Sequence, residues 1–371
     1  MKKEKALITL LLEGSDITIN GNQPHDPHIK NDTFYSRALA QGSLGIGESY
    51  MEGWWDAPHL DEFFYKIFSA NISDRFTNNF KLLLGVAKSM VINTSRRAKA
   101  FEVGQKHYDI GNDLYEYMLG DPMCYTCGYW NSAKNLHEAQ IAKMDLICKK
   151  VGMKPGQRIL DIGSGWGTFM AYAAEHYGVS AVGVTVSKEQ KALADAKYNH
   201  LPIETRLMDY RDLDEQFDHI ISIGMFEHVG YKNYRTYMEV AKRCLKDDGI
   251  FLLHTIGKNY HSRITDPWID KYIFPNSLIP SEKQVITASE GLFVMEDWHN
   301  FGPDYDKTLM AWFANFDEHW DQLKSHYDER FYRMWKYYLL SCAGLFRSRQ
   351  MQLWQIVYSK NGVLGGYKSV R

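Results

Sequence analysis

Three scarcities narrow the field before any motif is read. No apolar run approaches the ~20 residues that a helix needs to cross a bilayer, so no segment is expected to span a membrane. Cysteine is sparse. Cys124, Cys127, Cys148, Cys244 and Cys342 are an odd, scattered set, unlike the disulfide framework of a small secreted domain. Cys124 and Cys127 form a C-x-x-C, but no second pair and no His pair follows at zinc spacing, so no metal site is expected. Neither sign of charge is in excess. A formal net charge of −2 over 371 residues argues against a protein that grips nucleic acid through a broad basic field. Aromatic residues, by contrast, are plentiful, with 10 Trp and 24 Tyr. That richness suits a large apolar ligand or a membrane-facing surface as well as core packing.

The length suggests about two domains. Lys2, Lys3 and Lys5 precede the apolar run Ala6–Leu12, but the run is short and Glu13 follows, which favours an amphipathic helix over a signal peptide. Ile17–Asn20 alternates like a strand, and Asn20-Gly21 reads as a hairpin turn. His25-Asp26-Pro27-His28 carries ligand-type side chains, yet Pro27 favours a plain loop. A helix is expected over 33–41, ended by Gly42, and Gly45, Gly47, Gly53 and Trp54-Trp55 suggest a compact turn region. Helical spacing returns over Leu60–Ala70 and Phe80–Ile92, followed by a small basic face at Arg96, Arg97 and Lys99. The division expected is a smaller, mainly helical N-terminal domain at 1–95, a linker at 96–104 and a larger domain at 105–371.

Within the larger domain, a helix with Ile141, Met144, Ile147, Cys148 and Val151 on one side should end at Gly152. Strands and helices then alternate. Strands are expected at Arg158–Ile162, Ser180–Val186, Ile203–Met208, His219–Gly224 and Ile250–His254, and a closing pair at Phe293–Asp297 and Leu353–Ser359. Five βα units with a terminal pair make a Rossmann-like, seven-stranded α/β sheet.

The stretch RILDIGSGWGT, Arg158–Thr168, is the focus of that sheet. Asp161 stands near the end of a buried strand. Gly163, Ser164, Gly165 and Gly167 then turn the chain into a helix, where backbone N–H groups can approach a ligand. The spacing is G-x-G-x-G, not the G-x-G-x-x-G of dinucleotide sites. A carboxylate ahead of such a turn suits a cationic cofactor, and S-adenosylmethionine carries an ammonium and a sulfonium. In open α/β sheets ligands bind beyond the carboxyl ends of the strands. Thr185 and Gln190 after strand two, Asp209 and Tyr210 after strand three, Glu227 after strand four and His254 ending strand five should therefore converge on one crevice. Asp209 is placed to accept from an adenine amine. No acid stands at the tip of strand two, which leaves Gln190 or Thr185 to hold the ribose.

The runs YTCGYW, LDIGSGWG, VGVTVSKEQ, MDYRDL, GMFEHVG, LLHTIG, DPWIDKYIFPN, FVMEDWHNFGPDY and CAGLFR, with GSLGIGESYMEGWWD near the N-terminus, resemble the cyclopropane-fatty-acyl-phospholipid synthase family over almost the whole chain. That family often has Cys where Ser164 stands, another small residue. The resemblance implies transfer of a methylene from S-adenosylmethionine to the cis double bond of an unsaturated phospholipid's acyl chain, with bound bicarbonate as base. It implies that Cys127, Glu227, His254, Ile256 (through its backbone) and Tyr305 hold the bicarbonate, and that Tyr125 and Thr126 join the cofactor contacts. Cys342 matches a cysteine suspected of a catalytic role, although this chemistry needs no thiolate nucleophile. Glu227 beside an anion must be protonated or bridged by a donor. Phe169, Phe226 and Trp312 are among the aromatics available to line an acyl tunnel. A lipid substrate without a spanning helix implies a cytoplasmic protein bound peripherally to the inner face of the membrane, with residues 1–95 serving membrane association or homodimerisation. The competing readings are a lipid C-methyltransferase that adds a branch without closing the ring, and a lipid-binding protein without activity.

Overall fold

Short runs of Ile, Val and Leu that are buried on both faces pair in parallel and build one sheet. In the computed structural model, which describes residues 2–70 and 111–371, that sheet has strands β1 Arg158–Ile162, β2 Ser180–Thr185, β3 Ile203–Leu207, β4 Phe217–Ile223, β5 Leu245–Lys258, β6 Val294–Asn300 and β7 Met351–Ser359. Their order is β3-β2-β1-β4-β5-β7-β6. β1 runs parallel to β2 and β4, β2 to β3 and β4 to β5, whereas β6 and β7 pair antiparallel. The order turns back between β1 and β4, so the carboxyl ends of β1, β4 and β5 flank the point where such sheets bind ligands. The seven-stranded α/β expectation holds. β5 runs further than expected, so His254 lies inside the strand, with Thr255 and Ile256 beyond it in the same strand.

The helix Leu136–Val151 starts at Asn135, whose side chain accepts from the Glu138 N–H, and ends at Gly152 in the left-handed region, as expected. Residues Asn112–Leu119 form a further helix that the aromatic-rich sequence there did not suggest. The helix expected over 80–92, the basic residues Arg96, Arg97 and Lys99 and the linker at 96–104 lie outside the described residues.

The chain divides into two compact units, but not at a single point in the sequence. One unit joins the N-terminal segment to 263–275 and 305–351; the other joins the stretch from 111 to 262 to 276–304 and 352–371. Arg333 and Arg347 on the helix Glu329–Arg347 explain the recruitment of the distant segments. Arg333 donates to the Tyr50 carbonyl at 2.6 Å, to the Trp55 carbonyl at 3.0 Å and to Asp56 at 2.6 Å. Arg347 reaches Asp61, Glu62 and Asp306. Gly344 lets this helix meet Leu60–Ser69 backbone to backbone, since a Cβ there would lie 2.6 Å from the Tyr65 nitrogen.

Two N-terminal expectations are corrected by tertiary and loop contacts. The glycines of 43–51 form a helix, Ser43–Met51, not a turn region. Their smallness serves packing, because a Cβ on Gly47 would run into the Trp268 indole. Ile17–Asn20 is not a strand. Asp26 accepts from the Thr18 N–H at 2.7 Å and the Gln23 N–H at 2.9 Å, and the Asn20 N–H donates to the Pro27 carbonyl at 2.9 Å. The segment is thereby held as an irregular loop.

Glu48 is the electrostatic centre of this first unit. Burial pushes its carboxyl up, but hydrogen bonds from Lys271, Tyr272 and Arg37 outweigh it and hold it at about 2. Folding therefore gains from the charged form above pH 4.5, and the gain is lost as pH falls toward about 2. Glu48→Gln is expected to lower Tm at neutral pH by an amount worth up to about 3 kcal/mol, with the gap to the parent closing in acid. Calorimetry across that range checks it.

Candidate active site at the carboxyl rim of the sheet

The glycine turn follows β1 and is shaped by three left-handed residues, Gly163, Gly165 and Gly167. The N–H groups of Gly163 and Ser164 donate to the Val184 carbonyl of β2 at 3.0 and 3.1 Å, which pins the turn to the sheet. The Gly165 N–H is the next along the turn, and a Cβ there would meet nothing within 4 Å, so the turn faces open space. Asp161 is buried, and its Oδ1 has no partner among the described residues; the Ser164 hydroxyl is likewise buried and unpartnered. Burial pushes the Asp161 carboxyl up to about 7 against the pull of Lys143. Buried acceptors left unmatched are costly, and a cationic, hydroxyl-bearing ligand at the turn would satisfy them. These residues fit S-adenosylmethionine.

Lys143 was not singled out from the sequence. It is fully buried and donates to the Thr126 hydroxyl at 2.9 Å. Gln140, Lys143 and Lys150 recur at helical spacing beside the apolar stripe of their helix and are all buried; that polar row was the available signal. Thr126 and Tyr125 belong to an irregular segment held against the turn. Tyr125 meets Tyr115 edge to face at 5.2 Å, Tyr115 meets Trp166 at 5.1 Å, and the Thr168 hydroxyl donates to the Met123 carbonyl at 3.0 Å.

The residues after β2 and β3 are more committed to the protein than the sequence suggests. The Thr185 hydroxyl donates to the Gln190 side-chain carbonyl at 2.8 Å, and both residues are buried. Asp209 is buried and doubly engaged by Arg211, at 2.8 Å from Nε and 2.6 Å from Nη2. Its neighbour Tyr210 packs edge to face on Tyr237 at 5.0 Å, and burial pushes its hydroxyl up to about 12.

Glu227 and His254 are brought to the same rim. The Gly224 N–H, just past β4, donates to the His254 carbonyl at 2.9 Å, and Glu227 follows in the short helix Phe226–Val229. Glu227 Oε1 accepts from the Ile256 N–H at 2.6 Å, and Oε2 is buried without a partner. Burial pushes this carboxyl up to about 7, against the hydrogen bond from Ile256. His254 is buried too. Its Nδ1 lies 3.2 Å from Gln355 Nε2, and its Nε2 has no partner. Burial holds the imidazole well below its usual range, and Lys143, Lys150 and His299 act in the same direction. The rim thus holds a carboxyl that burial shifts toward its neutral form and a neutral imidazole, each with one unmatched polar atom. The backbone of Ile256 is engaged on both sides, its carbonyl accepting from the Thr255 hydroxyl at 3.0 Å. Cys127 is fully buried, its thiol donating to the Gly128 carbonyl at 3.1 Å.

Tyr305 and Cys342 belong to the other unit. Tyr305 lies in the first turns of the helix Pro303–Glu318, its ring 4.6 Å from that of Phe346 and 6.0 Å from that of Trp312. Burial pushes the Cys342 thiol up to about 12, the wrong direction for a nucleophile. Cys342→Ser is expected to keep turnover within about twofold, the range of a near-isosteric change outside the chemistry; steady-state rates check it. Phe169 and Phe226, offered as tunnel residues, are core. Phe226 is fully buried and stacks on Tyr234 at 4.2 Å.

A β3-β2-β1-β4-β5-β7-β6 sheet with an acid and a glycine turn at the end of β1 is the fold of S-adenosylmethionine-dependent methyltransferases. The profile of the mycolic acid cyclopropane synthetase family matches residues 95–356. The cyclopropane-fatty-acyl-phospholipid synthase of Escherichia coli (strain K12) is 51% identical over 361 residues, covering 97% of this chain and 94% of that protein. The sphingolipid C9-methyltransferase A of Emericella nidulans is 31% identical, covering 76% of this chain and 59% of that protein. Among solved structures, the mycolic acid cyclopropane synthase CmaA1 in complex with SAH and CTAB is 33% identical, with a TM-score of 0.66 over 70% of this chain and 98% of that one. The chain belongs to the mycolic acid cyclopropane synthetase family and is an S-adenosylmethionine-dependent enzyme.

Proposed function

We propose that this enzyme transfers a methylene group from S-adenosylmethionine to the cis double bond of an unsaturated phospholipid's acyl chain, with bicarbonate as the base that lets the ring close. The observation that carries the reading is the pair of unmatched buried atoms at one rim, Glu227 Oε2 and His254 Nε2. A neutral carboxyl presents an O–H donor and a neutral imidazole an N–H donor, which suits a small oxyanion. Asp161 Oδ1 and the open face of Gly165 support the donor's place at the turn. The likeness to the Escherichia coli phospholipid synthase supports the substrate class.

The alkene attacks the donor's methyl carbon, and the cation left on the lipid must then lose a proton from the new methyl. Glu227 and His254 hold the proton acceptor in a dry pocket, where hydrogen bonds are worth more than in water. Cys127 and Tyr305 are assigned to the same anion on the family resemblance. No helix among the described residues is long and apolar enough to cross a membrane. The lipid is reached from the bilayer surface, where the helix Lys2–Leu11, with three lysines and the exposed Leu7 and Leu10, is suited to an anionic interface. Homodimerisation through the N-terminal region belongs to the same proposal.

Mass spectrometry of lipids from cells expressing the chain tests the reaction. The expected product gains CH2 and loses its double bond. A branched methyl would favour the C-methyltransferase reading, which the sphingolipid relative supports, and unchanged lipids would sink both. The purified enzyme should lose most of its rate in carbonate-free buffer and regain it on adding bicarbonate.

A further inference from the structure

We propose that Gln355 is a positioning residue that fixes the proton of His254 on Nε2. The inference rests on the reading of an anion at His254 and adds the group that makes the imidazole a donor toward it. Gln355 sits on β7, next to β5 in the sheet, and is fully buried between apolar neighbours, LWQIV. Its amide nitrogen lies 3.2 Å from His254 Nδ1. An amide N–H that donates to Nδ1 requires a lone pair there, so a neutral ring carries its hydrogen on Nε2. Nε2 is the atom with no protein partner.

The reverse orientation of the amide is disfavoured by what it would bury. As placed, Gln355 leaves one carbonyl oxygen unmatched; turned over, it would set both of its N–H donors where that oxygen now lies. The surroundings also keep the ring neutral. Lys143, Lys150 and His299 all act on His254 against protonation. Lys150 Nζ lies 3.0 Å from His299 Nδ1, and His299 is the cross-strand partner of Gln355. The Phe301 ring meets His254 edge to face at 5.9 Å and lies tilted against His299 at 4.9 Å, which restrains the imidazole plane.

The test is nitrogen NMR on full-length protein labelled with 15N-histidine, without bicarbonate, the His254 pair being assigned as the one missing from His254→Gln. Wild type should show Nε2 protonated and Nδ1 bare. Gln355→Glu should move the proton to Nδ1, because a carboxylate accepts from it. The bicarbonate concentration for half-maximal rate should rise roughly 10- to 100-fold, as for other partners that orient an imidazole, with the KM for S-adenosylmethionine unchanged. A wild-type spectrum with the proton on Nδ1 overturns the inference, as does a Gln355→Glu variant with unaltered tautomer and bicarbonate dependence. If that variant fails to fold, shown by loss of the thermal shift with S-adenosylmethionine, the wild-type spectrum alone decides. A wild-type rate independent of bicarbonate would overturn the reading of the base and leave the tautomer standing.

Discussion

Glu227→Leu is expected to lower turnover by roughly two to three orders of magnitude, the usual loss when a preorganised group that meets reacting charge is removed, while S-adenosylmethionine still binds. The change takes away Oε2 and strands the Ile256 N–H that now donates to Oε1 at 2.6 Å. Glu227→Gln should lose far less, about tenfold, since an amide keeps an acceptor for Ile256 and a donor at the second position. The pH dependence of stability separates the two further. The Glu227 carboxyl is raised from 4.5 to about 7 by burial. Between those values the unfolded chain ionises while the fold keeps the group neutral, so its favourable contribution is complete below pH 4.5 and disappears as pH rises through about 7. The loss amounts to about 3 kcal/mol at most. Glu227→Gln lacks that titration, so its Tm relative to wild type should climb from acid to neutral pH. Steady-state rates and calorimetry on the same samples check both halves. A Gln variant as inactive as Leu would mean that the negative charge itself is required.

The sheet was legible because its signals are local. Runs such as RILDI and SAVGVT are short, apolar and bounded by glycine or capping residues, and their ends fall within a residue or two of expectation. The topology rule placed Asp161, Glu227 and His254 toward the carboxyl ends of neighbouring strands without knowledge of any contact. What escaped depends on partners far away in sequence. Glycine-rich 43–51 is a helix whose Gly47 leaves the space that the distant Trp268 indole fills. The helix Glu329–Arg347 joins the N-terminal segment through the ion pairs of Arg333 and Arg347, which no periodicity announces. Asp209 is a local case, since its partner Arg211 stands only two residues on and still went unread. Lys143 and Gln355 were passed over because nothing in the local sequence separates a buried polar side chain from a solvated one until its hydrogen bond is seen.

Gly165→Val is expected to abolish S-adenosylmethionine binding while leaving the fold intact. Gly165 has φ +55, and no protein atom lies within 4 Å of where its Cβ would point, so a valine meets no wall but enters the space before the turn. The backbone penalty for a branched residue there is about 1–2 kcal/mol, which a domain of this size can absorb. Gly163→Val is the contrasting case. It too has positive φ, but its Cβ would lie 2.8 Å from Met225 Cβ, so its first effect should be on stability. A ligand at one hundred times its Kd raises the stability of a protein that binds it by about 2.7 kcal/mol. Wild type should show that gain as a rise in Tm with S-adenosylmethionine, and Gly165→Val should show none despite a similar starting Tm. If Gly165→Val still responds to S-adenosylmethionine, the donor does not lie against this turn, and the roles given to Asp161 and Ser164 fall with it.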